Sequence, residues 1–323
     1  MKRILTLILT ALVFSTHSVQ VEAKNNKIDE FKIKRLVSKM DKYSNDHSTK
    51  KLRTLYSPDF KSGDGFNFEE FFSLVDTTFS SYDNIKYEVK IKNIDIENDL
   101  AQVELVDRTT GILIGKNDSG LTFGDLAGDC DYIIYLKKVG GKWLISNDYI
   151  VSEKTSLKYG DARDVKMEIA APERVDLGSE YSVLLQMERP ANLLVIAALG
   201  REEIALPLNH SEEIFRKLSA EGELERIVQA NTSGKNEYAV ASVGFTKLKL
   251  GEDLASIKFQ MSGLAFLMSR VNTKPLENII QKTTLEIAPQ NEEPPEVEAP
   301  KEEKAPEVGT VKEEPIEEPA AVE

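Results

Sequence analysis

The stretch from Asp131 to Ile150, DYIIYLKKVGGKWLISNDYI, constrains the fold most, because two strand-like runs meet at Gly140-Gly141. Glycine reaches the positive φ angles of a tight hairpin turn without steric cost. When Val139 lies opposite Lys142, regular pairing puts a mostly apolar set on one face: Tyr132, Ile134, Leu136, Trp143, Ile145, Asn147 and Tyr149. A polar set falls on the other face: Asp131, Lys137, Lys142, Ser146 and Asp148. The stretch therefore predicts an antiparallel sheet with one buried side and one solvated side.

Residues 1–23 have the pattern of a secretory signal. A basic Met1-Lys2-Arg3 precedes an apolar run from Ile4 to Phe14, and Val21-Glu22-Ala23 has small residues where a signal peptidase cuts. A membrane anchor or a buried helix is the alternative, but the run is short for a bilayer. The sequence therefore predicts an exported protein, periplasmic or extracellular, that does not span a membrane after cleavage.

The net charge of −13 is concentrated at the C-terminus. From Pro289 to Glu323 the chain has twelve Glu and three Lys, a net charge of −9, which leaves −4 for all other residues. A mildly acidic folded part without a basic patch argues against nucleic acid as a partner. Residues 288–323, rich in Pro and Glu, are predicted to be a disordered acidic tail. The tail is either a solvated spacer or a segment that binds a basic partner.

The composition offers little for a metal or cofactor site. The single cysteine, Cys130, cannot form an internal disulfide, and only His47 and His210 remain after signal cleavage. A histidine-rich metal site is therefore excluded, and neither histidine lies in a recognisable triad pattern. The sequence predicts no metal ligands, no cofactor and no catalytic residues.

The first half alternates between helical and strand-like periods. Apolar residues recur at helical spacing from Ile28 to Tyr43, again around Leu52, and from Phe68 to Phe79. Asn67 and Glu70 have the spacing of a capping box at the start of the third helix. From Ile85 onward the period becomes two, which predicts antiparallel strands.

Three helices followed by a sheet that ends in a Gly-Lys-Trp hairpin resemble the nuclear transport factor 2-like (SnoaL-like) superfamily. The resemblance is carried by Leu55-Tyr56-Ser57-Pro58-Asp59-Phe60, Tyr135-Leu136-Lys137-Lys138 and Gly141-Lys142-Trp143, and it covers residues 27–159. It implies an α+β cone, three helices on a curved antiparallel sheet, with a cavity and a homodimer formed through the sheet. The resemblance and the hairpin register together predict residues that face a small apolar ligand: Tyr43, Phe72, Tyr132, Trp143, Asn147 and Tyr149.

Residues 164–287 are predicted to be a second domain, because short period-two strands recur there between turns without a long helix. Residues 153–163 are polar and predict an interdomain linker. The second domain resembles, in pattern only, the immunoglobulin-like modules of exported bacterial proteins, since it lacks the Cys-Trp-Cys core. Within it, Gly263 to Met268 is predicted to be a final buried strand. The expected fold is therefore an α+β cone, then an all-β sandwich, then the disordered tail.

These features favour an exported noncatalytic binding or adaptor protein of the bacterial cell envelope, with an unidentified protein partner there or outside the cell. The alternative is a small-molecule carrier, or an isomerase- or cyclase-like enzyme, that uses the apolar N-terminal cavity. A third possibility is a structural envelope component whose tail spans the distance between layers. The resemblance implies that such an enzyme relies on Asp, Tyr or His pointing into the cavity, where the apolar surroundings raise the pKa of a carboxyl. The hairpin register puts Asp131 and Asp148 outside it, and only Tyr43 and Asp76 on the helices stay open as candidates.

Overall fold

Three helices lie near the start of the part of the chain that the computed structural model describes. That part comprises residues 26–82, 84–114, 123–205, 214–250 and 257–273. α1 covers residues 26–45, α2 covers Thr49–Leu52 and is followed by a 3-10 turn at Arg53–Leu55, and α3 covers Phe68–Ser81. None of the described helices is both long enough and apolar enough to cross a membrane. The predicted signal and the predicted acidic tail lie outside the described residues.

α3 begins at the capping box that the sequence predicted. The Asn67 side chain accepts hydrogen bonds from the backbone N–H groups of Glu69 and Glu70, at 3.0 and 3.1 Å. In return the Glu70 carboxylate accepts from the backbone N–H of Asn67 at 2.9 Å. Donors that the first turn of a helix leaves unpaired are satisfied in this way. The capping box prediction is confirmed.

Twelve strands make up most of the described chain. Their bounds are β1 Tyr56–Lys61, β2 Lys86–Glu97, β3 Leu100–Ile114, β4 Phe123–Val139, β5 Lys142–Gly160, β6 Met167–Ala170, β7 Glu180–Met187, β8 Leu194–Glu203, β9 Arg216–Lys217, β10 Glu223–Gln229, β11 Glu237–Leu250 and β12 Ile257–Val271. Nine form one sheet in the order β2-β3-β4-β5-β12-β11-β8-β9, with β1 pairing in parallel with β5. The other three form a small sheet in the order β10-β7-β6.

The predicted fold class, a three-helix α+β cone followed by a separate sandwich, is wrong. The described part of the chain is mostly β, with 58% strand and 20% helix, and α2 is a single turn. The polar stretch expected to be a linker is mostly strand, because β5 continues to Gly160 and pairs with β12 from Lys154 onward. Alternation of polar and apolar residues reports which face of a strand is buried but does not name its partner. One large antiparallel sheet therefore runs through both halves.

The large sheet covers a different core in each half. In the first core, Ile33 of α1 and Phe72 of α3 pack against Leu105, Ile134 and Ile145 of the sheet. The second core lies between the two sheets and contains buried side chains from both: Ile169, Val183, Leu185, Val228, Val195, Ala197, Val243, Phe245, Ala265 and Leu267. The predicted strand from Gly263 to Met268 is confirmed as part of β12, between β5 and β11.

The pairing registers put these two cores on opposite faces of the sheet. Leu126 lies opposite Leu157, and Leu157 lies opposite Phe266, so these three side chains share the face that carries Ile134. Ala265 is the neighbour of Phe266 along β12 and therefore points to the other face. The sheet thus changes its buried side between β5 and β12.

Two bulges in β5 change the face that each of its residues presents. The turn forms at Gly140 and Gly141, with φ of 57° and 77°, and Leu136 lies opposite Ile145 as predicted. Beyond that pair the register shifts, because Tyr135 lies opposite Asn147 and leaves Ser146 as an extra residue. A second shift leaves Val151 extra, between the pairs made by Ile150 and Ser152. Each inserted residue reverses the face of those that follow.

The predicted register of the hairpin is therefore wrong beyond Ile145. Asp148 lies opposite Ile134, and Ile150 lies opposite Tyr132, so Asp148 turns to the covered face and not to solvent. Asn147 turns to the other face in exchange. A bulge is not visible in the alternation of residue types, because Ser146 fits a polar position in either register.

Gly263 marks the close approach of β12 to the end of β5, which a methyl group would block. A Cβ there would lie 2.6 Å from the backbone N of Ala162 and 3.1 Å from the backbone N of Asp161. Because backbone must move, we expect Gly263→Ala to lower the free energy of unfolding by about 1–3 kcal/mol.

Urea denaturation measures this loss, with Gly128→Ala as the matched control in another strand of the sheet. The nearest atom to a Cβ at Gly128 is the Thr155 side-chain oxygen at 3.3 Å, and that side chain can rotate away. Equal unfolding midpoints for the two variants would show that the approach of β12 to β5 is not tight.

Candidate functional site

A cavity of about 340 Å³ lies between the helices and the covered face of the large sheet. Its wall is mostly apolar, with Met40 from α1, Leu52 from α2 and Val75 from α3. Six aromatic side chains line it: Tyr56, Phe71, Phe72, Phe79, Tyr87 and Tyr132. The polar groups in the wall include two carboxyls, Asp107 and Asp148. Volume and lining together are typical of a small-molecule site.

Aromatic contacts hold one end of the wall rigid. The Tyr56 ring meets the Phe72 ring edge to face, with centroids 5.0 Å apart and planes at 82°. Phe71 meets Phe72 in the same way at 5.3 Å and 88°. Edge-to-face pairs are favourable because the positive ring edge meets the negative face. The apolar stripe of α3 therefore forms part of the cavity wall.

Asp107 is the polar group at one end of the cavity. It lies on β3, opposite Val89 of β2 and Cys130 of β4. Its Oδ1 atom is buried and has no hydrogen-bond partner in the described part of the chain. Burial raises the pKa of this carboxyl to about 6, the negative charge of Asp41 adds to the rise, and the backbone N–H of Glu88 opposes it. A carboxyl with this pKa can accept or donate a proton near neutral pH.

Asp148 is the second carboxyl, and the bulge at Ser146 brings it into the cavity. Its Oδ1 accepts a hydrogen bond from the backbone N–H of Gly63 at 2.9 Å. Burial raises the pKa of Asp148 to about 7, and the negative charge of Asp64 adds to the rise. The Gly63 hydrogen bond and the positive charge of Arg270 oppose it.

The two carboxyls stand at opposite ends of the cavity. Asp107 lies opposite Cys130 and Asp148 lies opposite Ile134, so they are four residues apart along β4, which is about 13 Å at 3.3 Å per residue. Tyr132 lies between them, and its pKa is raised by burial first and then by the negative charges of Asp107 and Asp148. A molecule bound in the cavity could therefore contact one carboxyl at each end and the Tyr132 ring between them.

Residues from the second half of the chain bind the loop that contains Gly63. Asp64 accepts two hydrogen bonds from the guanidinium of Arg270, one of them at 3.2 Å from Nη1 to Oδ2, and a third at 2.8 Å from Asn236 Nδ2. Arg270 is only 2% exposed, and its Nε donates to Asn272 at 2.8 Å. A bidentate guanidinium fixes the geometry of its partner as well as its charge. The contact therefore links β12 to the hydrogen bond on Asp148.

The predicted cavity residues divide into two groups. Phe72 and Tyr132 line the cavity. Tyr43 packs against the first core, and Trp143 is buried there with its Nε1 donating to Asp29 at 3.1 Å. Asn147 donates from Nδ2 to the backbone oxygen of Lys61 at 3.1 Å. Tyr149 lies opposite Ile133, beyond the bulge at Ser146 and on the reverse face.

Sequence reasoning missed both carboxyls. Asp107 continues the inward series of Val103 and Leu105 on β3, so extending the period of two by one step finds it. Asp148 carries no such signal, because the bulge alone turns it inward. Asp76 is not in the wall: its Oδ1 accepts from the Thr49 hydroxyl at 2.5 Å on the exposed side of α3.

No protein-family model and no curated protein sequence matches this chain. Among solved structures, it is similar to the protein Bd1075 of Bdellovibrio bacteriovorus, with 22% identity over 36% of this chain and 38% of that one, at a TM-score of 0.30. It is also similar to the hexachlorocyclohexane dehydrochlorinase LinA-type3 of Novosphingobium barchaimii, with 15% identity over 39% and 88%, at 0.32. An NTF2-like protein of Cytophaga hutchinsonii gives 15% identity over 36% and 93%, at 0.28.

The solved structures that support the resemblance are NTF2-like or SnoaL-like dehydratase-fold proteins covering about 40% of the chain, and the comparisons do not show the immunoglobulin-like module. TM-scores between 0.28 and 0.32 are too low to assign this chain an activity. The chemistry of the site therefore rests on the cavity itself.

The pKa of Asp148 makes stability depend on pH in a defined direction. The folded pKa of about 7 lies above the ordinary aspartate pKa of 3.8, so the folded state binds more protons between these values. Stability therefore falls as pH rises from about 4 to about 7, by at most about 1.4 kcal/mol per pH unit. We expect Asp148→Asn to gain free energy of unfolding relative to the unsubstituted chain as pH rises through this range.

Urea denaturation at pH 4.5, 6 and 8 measures the difference, and Asp131→Asn is the control. Asp131 is exposed on the same hairpin and pairs with Lys92 at 2.9 Å. A gain for Asp148→Asn that stays constant from pH 4.5 to 8 would mean that Asp148 titrates as an ordinary surface carboxyl.

The Arg270 contact predicts a shift in the pKa of Asp148. We expect Arg270→Met to raise this pKa further, because the variant removes a positive charge and loosens the loop that carries Gly63. Arg270→Lys keeps the charge but loses the bidentate grip, so it separates charge from position. NMR titration of the side-chain carboxyl carbons measures the pKa.

Arg201→Met is the matched control, since Arg201 also pairs with a buried carboxylate, Glu237 at 3.3 Å, on a strand farther from the cavity. This variant should leave the pKa of Asp148 in place even if it lowers stability. The same Asp148 titration curve in Arg270→Met as in the unsubstituted chain would disprove the link.

Proposed function

We propose that this protein binds a small, largely apolar molecule in the cavity, with Asp107 as the polar contact for the ligand. The observation that carries the proposal is the buried Oδ1 of Asp107, which has no hydrogen-bond partner among the described residues although it lines the cavity. A buried polar atom without a partner costs about 1–3 kcal/mol, and a ligand donor placed there removes that cost. The aromatic wall supplies the apolar contact area.

An isomerase- or cyclase-like enzyme is the second candidate, and the pKa of Asp107 near 6 favours it. A general base works best when its pKa is close to the working pH. Tyr87 and Tyr132 add hydroxyl groups whose pKa values are raised by burial, so both stay protonated and can donate to a ligand oxygen. The cavity wall thus holds a proton acceptor and hydrogen-bond donors, the parts that proton transfer beside a carbonyl group requires.

The cellular setting belongs to the same proposal. The signal pattern of residues 1–23 supports an exported protein, in the periplasm or outside the cell. We also propose that the second half of the chain contacts a protein partner and that two copies of the chain pair through the sheet. Under this proposal the protein carries or converts its ligand in the cell envelope.

Ligand-observed NMR with phenol, benzyl alcohol and cyclohexanone tests the proposal. We expect saturation transfer to these probes in the unsubstituted chain and its loss in Val89→Trp, because the indole fills the cavity beside Asp107. The same cyclohexanone samples in D2O report catalysis as deuterium uptake beside the carbonyl, which Asp107→Asn should abolish.

Val139→Trp is the control, since Val139 is 51% exposed at the far end of the hairpin and its variant should keep probe binding. Circular dichroism checks that both variants fold. Probe binding that survives in Val89→Trp, or that is absent from the unsubstituted chain, would rule out the cavity as the binding site.

A further inference from the structure

We propose that the cavity selects ligands that carry a protonated amine or a quaternary ammonium group, bound at the Asp107 end. This inference rests on the proposed function and goes further by naming the chemical class of the ligand. It follows from three features of the wall: its charges, its rings and the position of its carboxyls.

The charges of the wall are one-sided. Two carboxyls line the cavity, and no Lys, Arg or His is among its lining residues in the described part of the chain. The nearby Arg53 is engaged elsewhere, because it pairs with Glu69 and its guanidinium stacks over the Phe72 ring at 5.0 Å. His47 stacks on Phe79 at 4.8 Å, and its Nε2 lies 3.2 Å from the backbone oxygen of Ile85. A cation for the cavity must therefore come from the ligand.

A cationic ligand would stabilise the Asp107 carboxylate more than the Asp148 carboxylate. Asp148 already accepts the Gly63 N–H and has the charge of Arg270 nearby. Asp107 has only the backbone N–H of Glu88 to oppose its burial, and its Oδ1 is unpartnered within the described residues. A buried carboxylate is stabilised most by a partner that brings both a positive charge and a hydrogen bond. A protonated amine brings both, and a quaternary ammonium brings the charge.

Aromatic rings surround the Asp107 end. The pKa values of Tyr87 and Tyr132 are raised by burial first and by the charge of Asp107 second, so both rings lie within its electrostatic reach. The face of an aromatic ring attracts a cation, by about 0.5–2 kcal/mol depending on how fully the cation is desolvated. Aromatic rings recognise quaternary ammonium groups, and a carboxylate beside them adds an opposite charge.

The proposal fixes the sign of the pH dependence. The titratable groups that face Asp107 are Tyr87 from β2, Cys130 and Tyr132 from β4, and Asp41 from α1, while Glu88 contributes its backbone N–H alone. Cation binding needs the ionised carboxylate, so affinity should fall as pH drops below about 6, the pKa of Asp107. A ligand that accepts a hydrogen bond from the protonated carboxyl would show the opposite trend.

Choline and 3,3-dimethylbutan-1-ol test the inference, because they share size and shape and differ in charge. We expect choline to bind the full chain about tenfold more tightly than the alcohol at pH 8. We expect its affinity to be about tenfold weaker at pH 5 than at pH 8. Asp107→Asn should bring choline to the level of the alcohol, while the exposed Asp131→Asn keeps the preference. Isothermal titration calorimetry measures all of these affinities.

The outcomes separate this inference from the proposed function. If the alcohol binds as tightly as choline, or if choline affinity ignores both pH and Asp107→Asn, cation selection is wrong while the cavity remains a ligand site. The same conclusion follows if neither choline nor 3,3-dimethylbutan-1-ol binds while phenol and benzyl alcohol do. If none of these probes binds the unsubstituted chain, both the inference and the proposed function fail.

Discussion

The antiparallel pairing of β5 with β12 is the contact on which the rest of the structure depends. β5 is 19 residues long, so its first part pairs with β4 and β1 beside the helices, and its last part also pairs with β12. The pairing brings β12, and with it Arg270 and Asn272, against the elements that form the cavity. Without it the first core would end at an open sheet edge, which is a costly exposure of unpaired backbone groups. The two halves are therefore one sheet with a core on each face.

The two bulges in β5 determine which of its side chains face the cavity. The bulge at Ser146 turns Asp148 inward, and the bulge at Val151 turns the strand back, so that Glu153 lies opposite Cys130. A bulged residue leaves backbone groups outside the ladder, and the second half of the chain satisfies one of them. Asn272 donates from Nδ2 to the backbone oxygen of Val151 at 2.8 Å. This partly buried hydrogen bond pairs the backbone oxygen of the second bulge with a residue that follows β12.

Local patterns in the sequence predicted the features that depend on local chemistry. The turn at Gly140-Gly141, the capping box at Asn67 and the strand from Gly263 to Met268 follow from residue types within a few positions. The bulge at Ser146 and the pairing of β5 with β12 could not be predicted, because both depend on partners more than 100 residues away or on an extra residue of neutral pattern. Asp107 is an intermediate case. The period-two pattern of β3 predicts that its side chain points inward, but its burial depends on the helices that cover the sheet.

Cys130 shows why the chemistry of the cavity belongs to its carboxyls. The thiol lines the cavity, and by residue type alone it is the best nucleophile among the lining residues. Burial raises its pKa, and the negative charges of Glu153 and Asp107 raise it further, whereas the positive charge of Arg270 opposes the rise. A thiol in this setting stays protonated, and the thiolate is the reactive form. Burial disfavours the charged form of every acid in the cavity. It keeps the Cys130 thiol protonated and unreactive, and it raises the pKa values of Asp107 and Asp148 to about 6 and about 7, where a carboxyl can exchange a proton.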